Sequence, residues 1–173
     1  DDIYPIEMTK LNCPTIKINN IYYHSKYNPI KEAENVATNM INNENVDVFI
    51  VYGYGLGYIV NEIYKKLIVN NHSNIKPYLL IVEPDKKIFA TSLHYFDCSD
   101  ILNDTNVRFF VDTDKTIIGS FLQNIPTKYI RYYIHRPSYN ENVEYYKSVQ
   151  NYISYVLDRK DMNSATLTRF QKI

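Results

Sequence analysis

The stretch V-F-I-V-Y-G-Y-G-L-G-Y, residues 48–58, carries three of the chain's four glycines: Gly53, Gly55 and Gly57. An apolar run leads in, and Leu56, Ile59, Val60, Ile63 and Leu67 lead out at helical spacing. Glycine lets a chain bend sharply between a strand and a helix and lets backbone approach a ligand closely. The free N–H groups at the start of the following helix suit an acceptor. Glu83, in I-V-E-P-D, closes a second apolar run, where a carboxylate can take hydrogen bonds from ribose hydroxyls. It would also repel a phosphate placed beside it, so the predicted ligand is neutral or hydroxyl-rich, such as a sugar, a nucleoside or a nucleotide-sugar, rather than a diphosphate. No cofactor is specified. The alternative is that the glycines only permit tight strand–helix packing and that Glu83 caps or pairs locally.

A second polar cluster, Y-Y-H-S-K-Y-N-P, sets His24 and Ser25 just before a helix start, where loop groups often face a cleft. Neighbouring residues on a strand point to opposite faces, so His24 and Ser25 do not by themselves form a nucleophile–base pair. No G-x-S-x-G elbow occurs, and His24, His72, His94 and His135 are scattered without metal-ligand spacing. The glycine spacing is G-x-G-x-G rather than the dinucleotide G-x-G-x-x-G. It is similar to the loop of S-adenosylmethionine-dependent methyltransferases, which usually carry an acid two residues before the first glycine. Val51 stands there instead. A methyltransferase-like, nucleoside-binding domain therefore remains an alternative reading.

The elements that must position these groups alternate along the chain. T-I-K-I-N and I-Y-Y-H (15–19 and 21–24) read as a hairpin about Asn19-Asn20. Asn28 can cap a helix with Pro29 in its first turn and Ile30, Ala33, Val36, Ala37, Met40 and Ile41 on its buried face. Strands are expected at 46–53, 78–84, 107–112 and 129–135, and helices at 56–69, 85–96, 114–125 and from Asn140 onward. Strands alternating with helices imply parallel pairing through right-handed crossovers. The predicted class is α/β, a Rossmann-like three-layer α/β/α fold with a mostly parallel sheet and an N-terminal β-hairpin added. The expected organisation is an extension over 1–30, the Rossmann-like domain over 31–156, and a C-terminal helix or linker over 157–173 toward a further domain.

Composition narrows the function classes. Nineteen basic residues balance nineteen acidic ones, which disfavours a general nucleic-acid binder. No apolar run approaches the ~18 residues that span a bilayer. Cys13 and Cys98 stand alone, suggesting a reducing, cytoplasmic setting. Eighteen tyrosines without a tryptophan, alongside abundant Asn, Ile and Lys, read most simply as codon bias in an AT-rich genome.

Taken together, Y-H-S-K-Y-N-P-I-K-E-A-E, then V-F-I-V-Y-G-Y-G-L-G-Y-I-V-N-E-I-Y-K-K, then Y-L-L-I-V-E-P-D-K-K-I-F-A-T-S-L resembles the N-terminal domain of the motility accessory factor (Maf) family, from about Tyr22 to about Asp112. The resemblance implies a role in bacterial flagellin glycosylation: transfer of a nonulosonic acid from a CMP carrier to Ser or Thr of flagellin, in the cytoplasm. It also implies that the transferase machinery lies in a downstream domain opened by a Gly-Pro-Ser motif. No Gly-Pro-Ser occurs here, so the chain is expected to be non-catalytic, with flagellin and the downstream domain as partners.

Overall fold

A computed structural model describes residues 2–171, and the side chains of residues 2–163. The chain opens with short antiparallel pairs: β1 (Glu7–Met8) with β2 (Pro14–Thr15), then β3 (Lys17–Ile18) with β4 (Ile21–Tyr22). The second pair is the expected hairpin. Asn19 and Asn20 both have positive φ, 51° and 64°, as a two-residue turn of right-handed twist demands. Helix α1 (Pro29–Met40) begins as anticipated: the Asn28 side chain accepts from the Lys31 N–H, and Pro29 occupies the first turn. Its buried stripe is Pro29, Ala33 and Ala37, whereas Ile30, expected on that face, is 43% exposed.

The remainder alternates: β5 (Val48–Tyr52), α2 (Tyr58–Tyr64), β6 (Tyr78–Glu83), α3 (Lys86–Tyr95), α4 (Ser99–Asn103), β7 (Val107–Val111), α5 (Lys115–Gln123), β8 (Ile130–Ile134), α6 (Arg136–Glu141) and α7 (Val143–Gln171). α4 was not anticipated. Helix α2 was expected to run to 69, but it widens into a π turn over Lys65–Val69, where the Asn70 N–H reaches the Lys65 carbonyl. Widening there keeps the adjacent Leu67 and Ile68 both buried. Of the C-terminal helix or linker expected over 157–173, the residues to Gln171 are helical and continue α7, and residues 172–173 lie outside the described residues.

The four long strands form one parallel sheet in the order β7-β6-β5-β8. Side chains of β5 alternate between two cores. Phe49 and Val51 pack with α1, α2 and α4 residues; Val48, Ile50 and Tyr52 pack with α5, α6 and α7 residues. All five residues of β5 are buried, which is why it reads as an unbroken apolar run. Burying each large side chain of this kind is worth roughly 1.5–3 kcal/mol. The fold is thus a three-layer α/β/α sandwich of Rossmann type. β5 sits where the strand order reverses, with β6 on one side and β8 on the other, and in open α/β sheets the ligand crevice lies beyond the carboxyl ends at that reversal.

Candidate functional site

The glycine loop leaves β5 at this reversal and stays buried, residues 53–57 included. Gly53, Gly55 and Gly57 all have positive φ, 108°, 58° and 89°. At Gly55 the close approach explains the residue: a Cβ there would lie 2.5 Å from His24 Nε2. At Gly57 it would meet the Tyr54 hydroxyl at the same distance.

Glu83 ends β6, 1% exposed, and turns back on the loop rather than outward. One carboxylate oxygen accepts the Tyr54 N–H at 2.9 Å and the Gly55 N–H at 3.4 Å; the other accepts the Asp85 N–H at 3.0 Å. Burial pushes its pKa up to about 7, and these three backbone donors hold it from rising further. The acid expected to meet ribose hydroxyls thus has both oxygens engaged by backbone of the two βα turns.

His24 lies in the crevice itself. The extension over residues 14–28 crosses the carboxyl edge of the sheet and seats the imidazole against Gly55, where Nε2 accepts the Leu56 N–H at 2.9 Å. Leu56 precedes Gly57, which opens α2, so this N–H belongs to the loop rather than to the helix expected from 56. With Nε2 accepting, the proton of the neutral ring sits on Nδ1, a buried nitrogen with no partner among the described residues. Burial, then the neighbouring His135, drives the His24 pKa well below its ordinary value. Ser25 is directed elsewhere: its Oγ accepts the Tyr27 and Asn28 N–H groups and shapes the turn into α1.

Two further residues complete the cluster, and neither was singled out in the sequence as a site residue. His135, at the end of β8, stacks on His24 with centroids 5.2 Å apart and an interplanar angle of 23°. Its Nε2 donates to the Tyr23 carbonyl at 2.7 Å, so Nδ1 is the acceptor and takes the Ser138 hydroxyl proton at 2.6 Å. Burial lowers the His135 pKa to about 4. Ser138 and His135 have the contact of a nucleophile–base pair, but Ser138 is 2% exposed and sits under Gly53, where a Cβ would lie 2.5 Å from its own. An acyl carbon has no room to reach its oxygen. The signal that could have found the pair is H-x-x-S after a strand, which carries weight only once β8 is known to lie beside β5.

On the other side of the loop a groove of 480 Å³ runs past Tyr54, Gly57, Tyr58, Phe96 and Cys98. It offers aromatic faces and a Tyr54 hydroxyl 3.7 Å from the Cys98 thiol. Among the described residues no group of three or more His, Cys, Asp or Glu could hold a metal, and no helix is long and apolar enough to cross a membrane.

These features define a Rossmann-like domain whose own N-terminal extension packs against the glycine loop at the carboxyl ends of the strands. The family described as glycosyltransferase Maf N-terminal domain matches residues 6–168, nearly the whole chain, and the chain belongs to that family. No curated protein matches it.

Proposed function

We propose that this chain is the non-catalytic N-terminal domain of a cytoplasmic flagellin-modifying protein, in which a downstream domain transfers a CMP-activated nonulosonic acid to Ser or Thr of flagellin. Family membership supports the glycosyltransferase context. The observation that carries the non-catalytic reading is His24: its imidazole occupies the crevice of the glycine loop and takes the Leu56 N–H. Glu83, committed to the Tyr54, Gly55 and Asp85 N–H groups, supports the same reading. On this view the loop no longer holds a nucleoside or nucleotide-sugar. It locks the extension to the sheet, and the domain acts by positioning flagellin or the transferase domain.

The test has two arms. Incubated with a CMP-nonulosonic acid and flagellin, the chain transfers no sugar. In calorimetric titration with CMP, the CMP-sugar and S-adenosylmethionine, it gives no heat of specific binding. Sugar transfer, or binding that is lost on Glu83→Ala, overturns the reading.

A further inference from the structure

The sheet has two edges, and they are treated differently. Beside β7 packs α4. A helix against an edge strand is a common protection against strand pairing. β8 has no comparable helix contact among the described residues.

The hydrogen-bond pattern fixes which backbone groups β8 presents. The Val48 N–H donates to the Tyr129 carbonyl, and the His135 N–H donates to the Tyr52 carbonyl. With Ile50 level with Tyr132, residues 129, 131, 133 and 135 therefore turn their backbone groups toward β5. Ile130, Tyr132 and Ile134 turn theirs outward, and no hydrogen bond among the described residues reaches them. Tyr132, at the middle of β8, is 55% exposed, and Tyr129, just before the strand, 42%.

We propose that β8 pairs antiparallel with β8 of a second copy of this chain, joining two four-stranded sheets into one of eight strands. The strand I-R-Y-Y-I suits such self-pairing. A twofold contact brings one surface against itself, so the surface must be self-complementary. An axis through Tyr132 sets Ile130 opposite the second copy's Ile134 and Arg131 opposite its Tyr133. Arg131 thus meets an aromatic ring rather than another arginine. The outward backbone groups of Ile130, Tyr132 and Ile134 find partners in the same register. Arg131 is already held on its own chain by Asn42 and Glu44, so the outward positions of the edge are uncharged.

The experiment is sedimentation velocity on the 173-residue chain over a concentration series, with Tyr132→Lys alongside. The wild type should move from the 20.5 kDa monomer toward twice that mass as concentration rises. Tyr132→Lys sets two ammonium groups face to face on the axis and should stay monomeric with an unchanged far-ultraviolet spectrum, because Tyr132 is largely exposed. Tyr132→Cys should oxidise to a disulfide-linked dimer well beyond any background from Cys13 and Cys98 in the wild type. The proposal is overturned by a wild type that stays monomeric throughout, or by a dimer that survives Tyr132→Lys.

Discussion

Gly55→Ala separates a loop that packs from a loop that binds. Gly55 has φ 58°, a conformation that costs a residue with a Cβ about 1–2 kcal/mol. The new Cβ would also stand 2.5 Å from His24 Nε2, 3.1 Å from its Cε1 and 3.4 Å from His135 Cε1. To restore ordinary contact the His24 ring must back away by roughly 1 Å. It cannot do so and keep the 2.9 Å bond from the Leu56 N–H, and it is hemmed in by His135 on its face and Tyr58 at its edge. A buried N–H left without its acceptor costs about 1–3 kcal/mol. The total is about 2–5 kcal/mol, a large part of the 5–15 kcal/mol typical of a domain. Urea unfolding followed by far-ultraviolet circular dichroism should show a lower midpoint at an unchanged slope. A double-mutant cycle isolates the clash. In a His24→Ala background, Gly55→Ala should cost only its backbone share, giving a coupling of about 1–3 kcal/mol. A coupling near zero, or a single-mutant loss under ~1 kcal/mol, would refute the idea that the imidazole is locked against the loop.

Two other expectations concern charge. His135 has its pKa lowered from 6.5 to about 4, so the stability its neutral form confers is full above pH 6.5 and drains away as pH falls toward 4; at 1.36 kcal/mol per unit this is ~3 kcal/mol. Glu83, raised from 4.5 to about 7, works in the opposite sense, its protonated form favouring the fold below pH 4.5 and the benefit being lost as pH climbs to 7, again by ~3 kcal/mol. The two offset each other in the wild type. Glu83→Gln should therefore lose stability on acidification from pH 6.5 to 4.5 more steeply than wild type, and parallel pH curves of unfolding midpoint would contradict this. Lys160 donates to the carbonyls of Leu122 and Ile125 and to Thr127 Oγ1, closing the carboxyl end of α5 with a positive charge. Lys160→Met should cost about 1 kcal/mol, the low end for charged hydrogen bonds because the site is part-exposed. No change in thermal midpoint would remove that role.

What the sequence by itself determined is what rests on near neighbours. Asn28 and Pro29 set the start of α1, and Asn19-Asn20 set the hairpin turn. The all-apolar V-F-I-V-Y announced a strand covered on both faces, and the alternation of strands and helices announced the parallel sheet. The glycines and Glu83 were legible as groups at strand ends, because period and punctuation place them there. The same local logic missed the π turn after α2 and gave Ile30 a buried place, since both depend on what the helix packs against. Only the tertiary structure decided what the glycine loop faces. Element order along a chain does not state lateral order in a sheet, and it was the return of β8 to the far side of β5 that brought His135 and Ser138 under Gly53. The contact that closes the crevice, from His135 to the Tyr23 carbonyl, joins residues 112 positions apart. No periodicity reports such a pair, because its energy comes from burying the extension across the sheet, where one imidazole fits the space that a glycine leaves.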